Sequence, residues 1–232
     1  MKFYESESFD PAWNLALEEY VFEKMPQNDS YFIPWQNDNT IVVGKNQNTF
    51  EEINETYVKE NNITVVRRLS GGGAVYHDLG NLNYTFITDS SNNEIDFNRF
   101  CGLLIGTLNK YGVIAKSSSR NDITIDGRKF SGNAQYIKNG RVMHHGTILF
   151  DSDLDVVKKA LKVKEKHIES KSQKSIRSEV INLCEVLPKG IALNEFKQSL
   201  IEHVFSEEIR EELIIDDKDL SEISVKNRTD KL

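Results

Sequence analysis

The chain has 232 residues, of which 29 are basic and 36 acidic, and 38% of its residues are hydrophobic. This balance is typical of a globular protein and excludes a disordered, fibrous or membrane-spanning chain, while the formal net charge of −7 argues against nucleic acid as the main partner. Glu5 interrupts the apolar run that a signal peptide needs, and two cysteines are too few for a disulfide framework. We therefore expect a cytoplasmic protein with one large domain.

Helices and short strands are mixed in the first half of the chain. Asp10 before Pro11 is typical of a helix N-cap, and apolar residues recur at helical spacing up to Met25, which predicts an amphipathic helix. Asp96 and Gly112 bound a second predicted helix in the same way. Between the two helices, β-branched and aromatic runs broken by Gly and Asn predict strands at residues 41–43, 63–66, 74–76 and 82–87.

Residues 121–150 predict a three-stranded meander. Asp126-Gly127 and Asn139-Gly140 each stand between apolar-rich runs, which is a strong signal for two-residue hairpin turns. The first turn places Lys129 on the polar face of the pleat. The expected cross-strand pairs are Ile125 with Arg128, Thr124 with Lys129, Ile123 with Phe130 and Asp122 with Ser131. The register beyond Gly132 stays open, because a bulge at this glycine would shift it.

The chain becomes helical and basic after Phe150. Residues 158–177 carry eight Lys or Arg residues against two Glu residues, which makes this segment the one positive patch of an acidic protein. We expect it to help dock acceptors or to close over a bound intermediate. Strands interrupted by helices, with hairpins in place of strict βαβ alternation, predict an α+β fold around a mixed, largely antiparallel sheet.

A run of three glycines, Ser70-Gly71-Gly72-Gly73, follows two arginines and a predicted strand. Glycines in regular structure cost roughly 1 kcal/mol each relative to alanine, so the run needs a reason. One interpretation is that backbone N–H groups approach an anion closely while Arg67 or Arg68 neutralises phosphate; the other is a turn beside two exposed arginines. The run is neither a P-loop nor a dinucleotide fingerprint.

Lys129 and a pair of histidines are the further candidates. Lys129 lies on a strand just after a tight turn, where it is either a positioned ammonium or a solvated lysine. His144 and His145 are adjacent on a strand and so point to opposite faces, which argues against a shared metal; one is expected to face a ligand. Cys101 is expected in the core, and a nucleophilic role is disfavoured for Cys184.

Taken together and in order, these motifs resemble the lipoate-protein ligase family. The likeness covers roughly residues 1–190 and implies a catalytic core similar to those of biotin protein ligase and class II aminoacyl-tRNA synthetases. The motifs that carry it are Asn14-Leu15-Ala16-Leu17-Glu18-Glu19, Arg67 to Asn81, Asn121-Asp122-Ile123, Lys129 to Gln135, His144-His145-Gly146-Thr147 and Ser175-Ile176-Arg177-Ser178 with Asn182-Leu183.

The resemblance implies a two-step reaction. Lipoate and Mg-ATP give lipoyl-adenylate, and the acyl group passes to a lysine of a lipoyl domain in 2-oxo-acid dehydrogenase acyltransferase subunits or in the glycine-cleavage H protein. The implied ATP and adenylate positions are Arg68, Gly73, Ala74, Val75, Tyr76, Asp122 and Lys129. The implied lipoate positions are Ser70, Gly71, Gly72, His77, Asn83, Lys129, Gly132, His145, Gly146 and Thr147. An apolar slot for the acyl chain is expected along residues 74–76.

Three functions remain open at this stage. The first is an ATP-dependent ligase, with Lys129 as its central residue. The second is an octanoyl or lipoyl transferase between carrier proteins, although neither cysteine lies near the glycine run or Lys129. The third is a binding module, or a half-enzyme that transfers only from preformed lipoyl-adenylate. Residues 1–232 are expected to form a single catalytic domain without the C-terminal accessory domain that is typical of the family.

Overall fold

The computed structural model describes residues 1–89, 97–118, 121–162, 179–207 and 209–225. The helices in this part of the chain are α1 (Pro11–Lys24), α2 (Thr49–Glu52), α3 (Glu55–Glu60), α4 (Phe97–Asn109), α5 (Leu154–Ala160), α6 (Leu193–Val204) and α7 (Asp217–Val225). The strands are β1 (Lys2–Phe3), β2 (Tyr31–Trp35), β3 (Thr40–Val43), β4 (Thr64–Arg67), β5 (Val75–His77), β6 (Asn81–Asp89), β7 (Lys116–Ser117), β8 (Asp122–Ile125), β9 (Arg128–Lys138), β10 (Arg141–Leu149) and β11 (Glu211–Glu212).

These strands form two sheets. The larger sheet has the order β11-β1-β2-β6-β10-β9-β8-β7 and is antiparallel except at β11-β1 and β1-β2. The smaller sheet has the order β4-β3-β5, with β3 parallel to β4 and antiparallel to β5. The prediction of an α+β fold with a mixed, largely antiparallel sheet is therefore confirmed. None of the described helices is long and apolar enough to cross a membrane.

Helix α1 begins as predicted but is buried more completely than an amphipathic helix would be. The Asp10 carboxylate accepts a hydrogen bond from the Ala12 N–H, which caps the helix before Pro11. The polar residues Asn14 and Glu18 are 1% and 2% exposed. The expectation of an amphipathic helix was therefore wrong for this polar side, because neighbouring elements cover it and supply hydrogen-bond partners.

The meander forms as predicted. Asp126, Gly127, Asn139 and Gly140 all have positive φ, between 49° and 79°, as the two tight turns require. The predicted pairs hold at Ile125–Arg128 and Thr124–Lys129 but not beyond. A bulge then shifts the register, so that the observed pairs are Ile123 with Ser131 and Asp122 with Gly132.

The predicted strands between α1 and α4 are all present, with ends shifted by one or two residues. Strand β2 had no prediction. Its Pro34 pairs with Tyr84 of β6 and lies beyond the short parallel ladder that β1 forms with Tyr31 and Phe32. Gly112 has φ +74 just after α4, in agreement with its expected role at the helix end, whereas Asp96 lies outside the described residues.

Three hydrophobic clusters flank the sheets. The main cluster lies between one face of the larger sheet and α4 and α6. A second cluster packs α1 and α7 against the opposite face, and a third lies between the smaller sheet, α3 and α5. The helix predicted after Phe150 is α5, but most of the basic segment 158–177 lies outside the described residues.

Candidate functional site

Three neighbouring strands of the larger sheet present small and polar side chains to the face that α1 covers. The register pairs Thr147 with Asn83 and with Gly132, and it pairs His145 with Thr85 and with Ala134. Residues paired in this way share one face of the pleat. We call the strip formed by Gly132, Ala134, His145 and Thr147 the trough.

His145 joins the trough to α1 and to the glycine run. The Ser70 hydroxyl lies 2.5 Å from His145 Nε2, and His145 Nδ1 lies 3.0 Å from the Glu18 carboxylate. The imidazole ring therefore bridges the Ser70 hydroxyl at Nε2 and the Glu18 carboxylate at Nδ1. Thr85 donates its hydroxyl to Glu18 and accepts from the Trp35 indole N–H at 2.9 Å. This hydrogen-bonded chain fixes the orientation of the histidine ring.

The Arg68 side chain fixes the conformation of the glycine loop, which comprises residues 70–73. Its guanidinium donates to the carbonyls of Val42, Gly71 and Gly73 at 2.7–3.2 Å, and its Nε also donates to Ser70 Oγ at 3.1 Å. Burial lowers the pKa of Arg68 to about 10, so the side chain remains charged at neutral pH. The resemblance places Arg68 at the nucleotide, but in this structure its donors bind the loop itself.

The backbone of the glycine loop needs a glycine at its middle position. Gly72 has φ +93, a conformation that other residues rarely adopt. Its carbonyl also lies so close to Gly44 that a Cβ on Gly44 would be 2.2 Å away. These two glycines therefore serve close backbone packing, and the interpretation of the run as a plain turn beside exposed arginines is wrong because Arg68 is buried.

The buried polar atoms that lack a hydrogen-bond partner within the described part of the chain include two N–H donors, one on His77 of β5 and one on Asn83 of β6. The Asn37 amide donates to His77 Nδ1 at 3.2 Å, so the proton of the neutral ring is on Nε2, which has no partner. Burial lowers the pKa of His77 to about 3, which keeps the ring neutral. The amide nitrogen of Asn83 is also unpartnered, since its oxygen accepts from Asn81. Two buried N–H donors are therefore available to an acceptor group of a ligand.

Lys129 lies at one end of the trough. Its ammonium is 2.7 Å from the Asp122 carboxylate, and a Cβ on Gly132 would lie 2.8 Å from the same nitrogen. The lysine side chain therefore folds back over Gly132, and a side chain at residue 132 would displace its ammonium. The bulge in β9 produces this arrangement, because it brings Asp122 opposite Gly132. Lys129 is thus a positioned ammonium and not a solvated surface lysine.

Several residues implied by the resemblance point away from this site. The Tyr76 side chain and Ala74 pack in the third cluster, where Tyr76 donates its hydroxyl to Asn39 and burial raises its pKa to about 12. The apolar slot expected along residues 74–76 is therefore not formed by these two side chains. Gly146 faces the opposite side of the sheet, where a Cβ would clash with Tyr84 and Asn133.

The two cysteines are outside the site. Cys101 is fully buried in the main cluster, as expected. The Cys184 thiol donates to the Asp151 carboxylate at 3.3 Å, and partial burial raises its pKa to about 11. A thiol with so high a pKa is a poor nucleophile at neutral pH, which agrees with the expectation that it has no nucleophilic role.

Sequence reasoning missed Glu18, Trp35 and Thr85. The signal for Glu18 was present, because two consecutive carboxylates in an otherwise apolar stretch of a helix need partners when they are buried. Trp35 and Thr85 gave no comparable signal, since a strand accommodates both residues readily. Next to this group lies a cleft, which is lined by Leu15, Ala16, Glu18, Glu19, Arg67, Arg68, Leu69 and Met143.

Comparison with known proteins identifies the family of this chain. The family model described as the lipoyl protein ligase A/B catalytic domain matches residues 10–205. The chain is 52% identical to the lipoate-protein ligase LplJ of Bacillus subtilis over 198 residues, covering 85% of this chain and 60% of that protein. It is 45% identical to lipoate–protein ligase 1 of Staphylococcus aureus over 225 residues, covering 96% of this chain and 69% of that protein.

The fold also matches a solved structure. A bipartite lipoate protein ligase from Thermoplasma acidophilum, described together with its E2 lipoyl domain, aligns with a TM-score of 0.81 and 25% identity, covering 97% of this chain and 90% of that one. The family match spans the glycine loop, Lys129 and His145 together. The chain belongs to the lipoyl protein ligase A/B catalytic domain family.

Proposed function

We propose that this chain activates lipoate with ATP to form lipoyl-adenylate and transfers the lipoyl group to a lysine of a lipoyl domain. The observation that carries the proposal is the trough itself, with the Lys129 ammonium folded over Gly132 at one end and the glycine loop seated on His145. The names of the two bacterial relatives support the substrate and the reaction.

Adenylate formation requires positive charge more than a protein nucleophile. A carboxylate oxygen of lipoate attacks the α-phosphorus of ATP, the bond to the leaving pyrophosphate breaks, and negative charge builds on the phosphoryl oxygens. Lys129 supplies the cation for this charge, and the N–H groups of the glycine loop supply backbone donors. Arg68 acts indirectly, because its charge and hydrogen bonds hold the glycine loop in place.

Transfer then needs a neutral amine. The acceptor lysine attacks the carbonyl carbon of lipoyl-adenylate, forms the amide bond and releases AMP. Asp122 is the carboxylate next to Lys129 and is 16% exposed on its side chain, so it is placed to take the proton that the amine loses. Its ion pair with Lys129 keeps it oriented until the acceptor arrives.

The acyl chain lies along the trough toward the cleft. Leu15, Ala16, Leu69 and Met143 line that cleft and form an apolar environment close to His145. We propose these residues as the apolar slot in place of residues 74–76. The unpartnered donors on His77 and Asn83 serve polar atoms of the bound intermediate.

Mg²⁺ is proposed to enter with ATP. The described residues contain no group of three or more side chains able to hold a metal ion. Mg²⁺ that accompanies a nucleotide is bound mainly by phosphate oxygens and water, with one or two carboxylates, and Asp122 is the carboxylate next to Lys129. The proposed acceptors are lipoyl domains of 2-oxo-acid dehydrogenase acyltransferase subunits and the glycine-cleavage H protein, in a cytoplasmic setting.

One mass-spectrometric experiment tests the proposal. The protein is incubated with an apo lipoyl domain and lipoate, with and without Mg-ATP, and in parallel with synthetic lipoyl-adenylate. A lipoyl mass gain on the acceptor that needs ATP is the expected result. An absence of mass gain under every condition would refute the proposal.

The chain spans 60% of the length of the B. subtilis relative. The same experiment therefore also distinguishes the ligase from two other reactions. A transfer-only protein gives a mass gain from lipoyl-adenylate but none from lipoate with ATP. An octanoyl or lipoyl transferase between carrier proteins gives a gain from an octanoylated carrier without ATP. The same acceptor and the same mass readout therefore distinguish all three reactions.

A further inference from the structure

A loop next to the glycine loop carries an exposed cation to the rim of the trough. We call residues 44–48 the lysine loop. The Lys45 N–H donates to the Ser70 carbonyl at 2.8 Å, and the Arg67 guanidinium donates to the Gly44 carbonyl at 2.8 Å. Gly44 itself packs against the Gly72 carbonyl. The backbone at Lys45 is therefore fixed relative to the glycine loop, although its side chain is exposed.

The Lys45 side chain crosses from this loop to strand β9. Its ammonium lies 5.3 Å from the centre of the Tyr136 ring, a cation–π contact. The Tyr136 ring lies 5.2 Å from the ring of Phe22 on α1, and Tyr136 pairs across the sheet with Met143, which lines the cleft. Lys45 and Tyr136 together form a bridge between the lysine loop and the larger sheet, which we call the latch.

The latch lies at the end of the trough opposite Lys129. Gly132, Ala134 and Tyr136 alternate along β9 and so share the trough face. The four-residue step from Gly132 to Tyr136 spans about 13 Å along a strand. The Lys129 ammonium lies over Gly132, so the trough runs from that cation, past the small side chain of Ala134, to the Tyr136 ring.

We propose that the latch closes the far end of the trough and limits the length of the acyl chain that the protein accepts. This inference rests on the proposed function, in which Lys129 holds the activated carboxyl group. A chain of octanoyl length then ends near Met143 and Tyr136, and a longer chain has to displace the Tyr136 ring and break its contact with Lys45. Cation–π contacts at exposed sites are weak, so the discrimination is steric. The Tyr136 ring occupies the end of the trough, and its contacts with Phe22 and Lys45 hold it there.

The test measures binding of non-hydrolysable acyl-sulfamoyl adenosines that carry an octanoyl or a dodecanoyl chain. We expect the wild-type protein to bind the octanoyl analogue at least about tenfold more tightly than the dodecanoyl analogue, a difference of about 1.4 kcal/mol. Tyr136→Ala should remove this preference, and Lys45→Ala should reduce it by about threefold, since the ring then loses one of its supports. Because Lys45 is exposed, its variant keeps the test valid even where Tyr136→Ala fails to fold.

Two matched controls sharpen the result. Tyr136→Phe keeps the ring and Lys189→Ala removes an exposed lysine from a distant turn, so both should keep the wild-type preference. An unchanged chain-length preference in folded Tyr136→Ala would overturn the latch, and where that variant does not fold, an unchanged preference in Lys45→Ala would overturn it. Wild-type protein that binds both analogues equally would also overturn it. The proposed function is judged apart from this, by lipoylation of the acceptor with lipoate and ATP in the wild-type protein.

Discussion

The two faces of the β9–β10 pair differ in the groups that surround their histidines. On one face, His144 stacks on Phe100 at 4.7 Å and on Tyr84 at 6.0 Å within the main cluster. On the other face, the next residue, His145, forms hydrogen bonds with Ser70 and Glu18. Aromatic rings surround His144, whose Nε2 has no hydrogen-bond partner within the described residues, whereas hydrogen bonds at both ring nitrogens hold His145.

This contrast separates stability from function within one pair of strands. Successive side chains on a strand point to opposite faces, so a single residue step moves a histidine from a packed core to a binding surface. Substitutions on the aromatic face should therefore lower the free energy of unfolding and leave turnover per folded molecule unchanged. Substitutions on the trough face should lower activity and leave the fold intact.

The strongest test on the trough side is Lys129→Ala. Removing one preorganised donor from a developing negative charge typically slows a reaction by about 10²–10³-fold, and we expect at least this loss in lipoyl-adenylate formation. The ion pair with Asp122 is partly exposed, so the melting temperature should change little. AMP release and thermal unfolding measure the two effects. Lys138→Ala, at the exposed end of the same strand, is the control, and unchanged turnover in Lys129→Ala would remove Lys129 from the mechanism.

The matching test on the aromatic side is Phe100→Ala. Phe100 is 5% exposed and stacks on both Phe86 and His144. Truncating a buried phenylalanine costs about 3–5 kcal/mol, which urea unfolding should detect. Phe50→Ala, which removes a half-exposed ring, should cost less than about 0.5 kcal/mol. Loss of turnover per folded molecule in Phe100→Ala would contradict the separation of the two faces.

The sequence predicted the meander and the face of the sheet on which Lys129 lies, because both depend on local turn chemistry. Asn-Gly and Asp-Gly turns force positive φ at both positions, and the pleat follows from the turn. The register beyond Lys129 was wrong, since the bulge depends on contacts from elsewhere in the chain. The Lys129 N–H donates to the Glu179 carbonyl, and the Ile181 N–H donates to the Lys129 carbonyl, which adds a partner that local sequence does not reveal.

The role of Arg68 and the burial of Glu18 were likewise beyond local reasoning. An arginine beside glycines is compatible with both a phosphate contact and a structural role, and only the tertiary position of the Val42, Gly71 and Gly73 carbonyls decides between them. Glu18 is buried because His145 and Thr85, which are far away in the sequence, lie opposite it. Long-range partners of this kind produce no periodic pattern.

A smaller effect on the trough side is expected from Glu18→Gln. The substitution keeps the shape of the side chain but replaces charge-assisted hydrogen bonds, which are roughly twice as strong as neutral ones, to His145 and Thr85. We expect lipoate binding to weaken by about tenfold, or about 1.4 kcal/mol, because the His145 ring is held less firmly. Calorimetric titration measures this loss. Glu23→Gln on the same helix, in an exposed ion pair with Lys138, should bind as the wild type does, and equal binding in both variants would contradict the role of Glu18.

The last effect concerns the pH dependence of stability and involves two buried histidines, His144 on β10 and His77 on β5. Burial lowers the pKa of His144 and of His77 to about 3, below the value of about 6.5 for an unfolded chain. As the pH falls, the unfolded chain therefore takes up these protons first. The stabilisation is complete above about pH 6.5 and is lost progressively toward pH 3, at up to roughly 1.4 kcal/mol per pH unit for each ring.

His144→Phe keeps the stacking on Phe100 but removes one of these two buried imidazole rings. Its unfolding free energy should therefore depend less on pH than that of the wild type, by up to roughly 1.4 kcal/mol per pH unit between about pH 6 and pH 4. Urea unfolding at several pH values gives the slope, in which any constant cost from the lost Gln135 hydrogen bond cancels. His203→Asn, at a less buried histidine, should change the slope less. A slope in His144→Phe equal to that of the wild type would show that His144 takes up its proton in the folded core as readily as in the unfolded chain, which its packing between aromatic rings does not favour.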